Sequence, residues 1–95
     1  MSLDDKDRLY QFFHMALAQT KSGFKQQFIQ RTKEAREAIG YSQDRIGQAL
    51  GIKQDTYKNY EIDRELPHEY VPQFCAITGR SIEWLYTGKQ RRNAA

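Results

Sequence analysis

One cysteine, Cys75, stands among the 95 residues of the chain, so no disulfide can form within it and a reducing, cytoplasmic setting is expected. Only two prolines and six glycines interrupt it, which leaves long stretches free to be helical. No apolar run exceeds a few residues, and this excludes a membrane-spanning helix. The opening is acidic, with Asp4, Asp5 and Asp7, where a signal peptide would be basic. Two histidines and one cysteine, widely separated, give no zinc-ligand spacing. A glycine-rich phosphate loop and a nucleophile elbow are also missing, so no catalytic residue, metal, cofactor or small-molecule ligand is expected. Cys75 with His14 or His68 would sketch a thiol nucleophile and its base. Helical spacing instead puts Cys75 on an inward face with Phe74 and Ile77, the usual place of a small buried thiol.

What is present suits one soluble globular domain. Charged residues make up 28% and hydrophobic ones 39%, too apolar for a disordered chain, and the length serves a single core. Fifteen Lys and Arg against twelve Asp and Glu give a net charge of +3 and a pI near 9.1. The acids gather at the start, while Lys89, Arg91 and Arg92 follow the last acid, Glu83. Between them Arg31, Lys33, Arg36, Arg45, Lys53, Lys58 and Arg64 make a basic middle. Such a middle suits a phosphate-binding face, and a solvated helical surface would look the same.

Hydrophobic spacing predicts helices and no strand. The first covers Asp4 to Thr20, with Leu9, Phe12, Phe13, Ala16 and Leu17 on its apolar side and Ser22-Gly23 as its stop. The second runs from Phe24 to Gly40, with Phe28, Thr32, Ala35 and Ile39 on one face and Lys33, Glu34 and Glu37 outside. Ser42 caps a third, Gln43 to Leu50, whose inner residues are expected to be Ile46, Ala49 and Leu50. A fourth spans Gln54 to Glu61 with Tyr57 and Tyr60 inward, followed by a loop from Ile62 to His68. The fifth covers Tyr70 to Thr78, with Pro72 allowed only in its first turn. Ser81 caps the last, Ile82 to Tyr86.

The informative stretch is Gln43 to Ile62. Two short helices joined by a three-residue turn holding Gly51 satisfy the geometry of a helix-turn-helix. Gly47 is small where the helices cross, and Gly51 can take the positive φ that the sharp turn demands. Ile46, Leu50, Ile52, Tyr57 and Tyr60 form the apolar seam.

From Phe28 to Gly88 the chain resembles the Cro/repressor-type helix-turn-helix proteins of phages and bacteria, an XRE-like family. The strings that carry the resemblance are Arg36-Glu-Ala-Ile-Gly-Tyr-Ser42-Gln43, Ile46-Gly-Gln-Ala-Leu-Gly51-Ile52, Thr56-Tyr-Lys-Asn-Tyr-Glu61 and Ser81-Ile-Glu-Trp84-Leu-Tyr-Thr-Gly88. The resemblance implies an all-α fold, a compact five-helix bundle, here with an additional N-terminal helix. It divides the chain into an N-terminal extension over 1–23, the DNA-binding domain over 24–88 and a basic tail over 89–95. It also implies an Arg36–Glu61 ion pair tying the helix before the motif to the recognition helix. Three residues depart from the family pattern. Asp63 stands where glycine is preferred, Lys53 replaces the usual Ser or Thr cap, and Asp55 puts an acid on the DNA-facing side.

Gln54, Asp55, Lys58 and Asn59 share the outer face of the recognition helix. Gln can bridge adenine, Lys can reach guanine and Asp can accept from cytosine, so these four are the candidate base contacts. An acid at Asp55 also complements the helix dipole. Gln43, Arg45, Lys53 and Arg64 are the candidate phosphate contacts, with the Gln43 amide free to bond a phosphate or brace Gln54. The expected partner is double-stranded DNA carrying a pseudo-palindromic operator, bound by a homodimer, because one short helix reads too few base pairs. The expected role is that of a transcriptional regulator, a repressor. Candidate dimer surfaces are the helix Asp4 to Thr20 and the set Ile82, Trp84, Leu85 and Tyr86, of which Trp84-Leu85 would equally cap the core of a five-helix bundle. The alternative is a protein-interaction module, antitoxin-like or regulatory, that keeps the bundle without specific DNA binding.

Overall fold

A computed structural model describes residues 21–89. Among them the chain forms five α-helices, one 3-10 turn and no strand. The helices are α1 (Lys21–Ala38), α2 (Gln43–Leu50), α3 (Gln54–Asn59), α4 (Val71–Thr78) and α5 (Ile82–Thr87), with the 3-10 turn at His68–Tyr70. The helix expected over Asp4 to Thr20 lies outside the described residues. Lys21 to Gly23 already belong to α1, so Ser22-Gly23 does not break the chain there.

The α1 helix buries Phe28, Thr32 and Ala35, three positions at helical spacing, and leaves Lys33, Glu34 and Glu37 exposed. Thr32 is a polar residue in this core and stays satisfied, because its Oγ1 donates to the Phe28 carbonyl at 2.9 Å. Its counterpart on α4, Thr78, does the same to Phe74 at 2.9 Å. Both serine caps form as expected: Ser42 Oγ accepts from the Arg45 N–H at 3.0 Å and Ser81 Oγ from the Trp84 N–H at 3.0 Å. Pro72 sits in the first turn of α4, where its missing N–H costs nothing.

The core joins Phe28, Ile46, Leu50, Tyr57, Phe74 and Leu85 across all five helices, with Leu66 pinning the loop before α4. Cys75 is buried there as a free thiol, and burial pushes its pKa up. Trp84 and Leu85 are buried in the same core, so neither is available as a dimer surface. Arg31 fastens α5 to α1: its Nε donates to the Leu85 carbonyl at 2.8 Å and its Nη2 to the Tyr86 carbonyl at 3.0 Å. These are end carbonyls of a helix, which lack partners inside it.

Several boundaries differ from the sequence reading. The α3 helix ends at Asn59 rather than Glu61, because the N–H groups of Ile62, Asp63 and Arg64 all converge on the Asn59 carbonyl at 3.0–3.2 Å. Asp63 does not need left-handed geometry, since among the described residues only glycines have positive φ. Ala49 is exposed, not inward: α2 turns Ile46, Gly47 and Leu50 to its neighbours instead. The last helix runs one residue further, to Thr87.

Candidate nucleic-acid interface

The α2 and α3 helices are joined through Gly51, Ile52 and Lys53. Gly51 has φ +76°, the left-handed conformation that a side chain disfavours. Gly47 marks the closest approach. A Cβ there would lie 3.0 Å from the Ile52 carbonyl oxygen, so any side chain would push the turn away from α2. Two glycines with different duties therefore set the angle of the motif.

The α3 helix faces both ways. Tyr57 is fully buried, and its ring meets that of Tyr60 edge-on with centroids 6.4 Å apart. Opposite them Gln54, Asp55, Lys58 and Asn59 are all exposed, so the four candidate base contacts share one solvent-facing surface. Thr56 is exposed as well. Lys53 occupies the cap position of α3 and makes no side-chain cap bond, as its departure from Ser or Thr implies. Lys53, Arg45 and Arg64 are exposed on the flanking segments.

Behind this surface lies a closed polar network centred on Glu61. Arg36 donates from Nε to Glu61 Oε2 at 2.7 Å and from Nη2 to Oε1 at 3.0 Å, a two-pronged pair. The Glu61 side chain is 2% exposed and that of Arg36 11%. The remaining nitrogen of the guanidinium, Nη1, donates to the Tyr41 carbonyl at 2.5 Å. Tyr57 Oη donates to Glu61 Oε2, and Gln43 Nε2 donates to Oε1 at 3.1 Å. Burial alone would push the Glu61 carboxyl up, but the bonds from Arg36, Tyr57 and Gln43 outweigh it and hold it below the usual carboxylate range. Burial, reinforced by the Glu61 bond, pushes the Tyr57 phenol far above its ordinary range. Among the described residues no buried side-chain polar atom is left without a partner.

This network corrects one expectation, the partner of Gln43, and forms the other, the Arg36–Glu61 ion pair, as expected. Gln43 braces Glu61, not Gln54. Arg36 has each nitrogen of its guanidinium bonded within the protein, so it serves the fold first. Two residues went unassigned in the sequence. Tyr41 carries the Arg45 guanidinium over its ring, 4.1 Å from the centroid, and its signal was an aromatic four residues before an arginine at a helix start. Arg31 had no local signal, because its acceptors lie 54 and 55 residues away.

A helix-turn-helix family model matches residues 33–85, which span α2, α3 and most of the surrounding bundle. No curated protein and no solved structure matches the chain. Among the described residues no helix is long and apolar enough to cross a membrane. With the turn, the two glycines and the outward polar face all in place over the matched residues, the chain belongs to the XRE-type helix-turn-helix family, a family of DNA-binding regulatory domains.

Proposed function

We propose that this protein is a cytoplasmic transcriptional regulator, a repressor, that binds double-stranded DNA sequence-specifically with α3 in the major groove. The observation that carries the reading is the two-sidedness of α3: Tyr57 is fully buried while Gln54, Asp55, Lys58 and Asn59 stand exposed together. Residues that can read base edges occupy a helix narrow enough for the groove and rigidly backed by the core. Arg45, Lys53 and Arg64 supply phosphate contacts around it, and Gln43 adds one through the amide hydrogen that Glu61 does not use.

Six residues of α3 read only a few base pairs, so two copies act together on a pseudo-palindromic operator. Half-sites then lie roughly 34 Å apart, one turn of the duplex. Among the described residues, Ile62 and Ile82, exposed at 61% and 47%, are the large apolar side chains left for contact between copies. The same two residues would serve a protein-interaction module that binds no DNA.

Selection of binding sites from random duplexes, followed by mobility shifts at several salt concentrations, tests the reading. Symmetric selected sites, two chains per duplex and affinity that falls steeply with salt are expected. Absence of binding to any duplex at low salt overturns the DNA reading in favour of the interaction module. One chain on an asymmetric site overturns the dimer alone.

A further inference from the structure

Tyr41 lies between two arginines and treats them differently. Its backbone carbonyl accepts from Arg36 Nη1 at 2.5 Å, while Nε and Nη2 of the same guanidinium donate to Glu61. Its ring instead carries Arg45, with the guanidinium carbon 4.1 Å from the centroid. Arg45 is exposed, and among the described residues it makes no ion pair. Its backbone is held as well, since its N–H is the one capped by Ser42 at 3.0 Å.

A guanidinium has two kinds of surface. Its faces stack on aromatic rings, while its N–H donors all lie in the plane and point outward from the edges. Held over the ring, Arg45 spends no donor on a hydrogen bond within the described residues, whereas Arg36 spends one from each of its three nitrogens. An oriented fork with free edges matches the oxygens of a phosphate, and holding it in advance spares the ordering cost that a long flexible side chain otherwise meets on binding. Arg45 sits on the first turn of α2, the turn whose Gln43 reaches the residue just past the recognition helix, Glu61, at 3.1 Å. That places the fork beside the reading surface.

We infer that Tyr41 is a positioning residue for DNA binding: its ring holds the Arg45 guanidinium edge-outward for a backbone phosphate flanking the recognition helix. The inference rests on the DNA-binding reading above. Because a phosphate carries no sequence information, Tyr41 tunes affinity on every duplex and leaves base choice to α3.

A double-mutant cycle on the full chain tests it, with the affinities of wild type, Tyr41→Leu, Arg45→Ala and the double variant measured on a selected duplex and a random one. Tyr41→Leu is expected to weaken both by about two- to fivefold, the scale of one exposed cation–π contact. Added to Arg45→Ala it is expected to cause no further loss, and Tyr41→Phe, which keeps the ring, restores wild-type binding. A tyrosine that merely supports the fold would give the same loss with or without Arg45, and that additive cycle overturns the inference. Arg45→Lys gives a second reading that does not depend on how Tyr41→Leu folds. It keeps the charge and loses the planar fork, so binding as tight as wild type overturns the inference too. Wild-type protein that binds no duplex overturns the DNA reading along with this inference. Wild-type binding with an additive cycle overturns this inference alone.

Discussion

The side-chain amide of Gln43 donates to Glu61 Oε1 at 3.1 Å, joining the start of α2 to the turn that ends the recognition helix. The same carboxylate takes two bonds from Arg36 on α1 and one from Tyr57 on α3. One acid thus gathers three helices, and the orientation of the reading surface depends on it. Removing a hub of this kind strands its donors, whereas removing a surface charge does not.

Glu61→Ala is accordingly expected to destabilise the fold by about 3–5 kcal/mol, the cost of leaving a buried cation unpaired. Denaturant unfolding measures it, and a loss below about 1 kcal/mol would mean that the pair contributes no more than an exposed one. Arg36→Ala should be similarly damaging, because it strands the acid instead.

Acid should act on the same hub. The folded chain holds the Glu61 carboxyl below its usual range, whereas a glutamate in an unfolded chain titrates at about 4.3. The ionised pair therefore contributes its stability in full above that value, and the contribution is lost as the pH falls through the lower folded value. Melting temperatures between pH 7 and 3 should fall more steeply for wild type than for Glu61→Gln, which cannot titrate. Parallel curves would contradict this.

Gly47→Ala tests the close approach of α2 to the turn. Its Cβ would meet the Ile52 carbonyl oxygen at 3.0 Å, a backbone atom with little freedom to retreat. Overpacking of this kind typically costs about 1–3 kcal/mol. DNA affinity should fall beyond what the stability loss explains, since the angle between the helices changes. Unaltered binding and melting would show that the turn yields freely.

Gln54→Ala is expected to cost about 1–3 kcal/mol on the selected duplex and little on random DNA. Binding measurements on both duplexes decide it, and equal losses would remove Gln54 from the base-reading set.

Arg31→Met should loosen α5 while leaving the reading surface intact. It removes the bonds to the Leu85 and Tyr86 carbonyls, worth about 1.5–3 kcal/mol each for a charged donor. Hydrogen exchange at α5 and Trp84 fluorescence report the change, and exchange that stays as slow as in wild type would assign α5 its stability from packing alone.

Much of this was readable in one dimension because it is local. The periodic burial of Phe28, Thr32 and Ala35, the caps at Ser42 and Ser81, and the glycines at 47 and 51 each follow from a few neighbouring residues. Helical spacing also separates Tyr57 from Gln54, Asp55, Lys58 and Asn59, so the candidate reading face was visible before the fold. The Arg36–Glu61 pair is different. Its partners are 25 residues apart, and only the family resemblance brought them together beforehand.

Tertiary structure decided what spacing cannot encode: which side of a helix meets which neighbour, and which donor reaches an acceptor first. Ala49 has the spacing of a core residue, yet it is exposed because α2 presents Ile46, Gly47 and Leu50 inward. Gln43 could have braced Gln54, but the buried Glu61 carboxylate is the stronger acceptor and takes its amide. Trp84 and Leu85 suited an interface or the core equally in the sequence, and packing within their own chain decided for the core. Arg31 and Arg36 are equally basic in the sequence, and only packing sends one to the end of α5 and the other to Glu61. Local propensity shapes the elements, whereas competition among distant partners for burial and hydrogen bonds assigns each side chain its work.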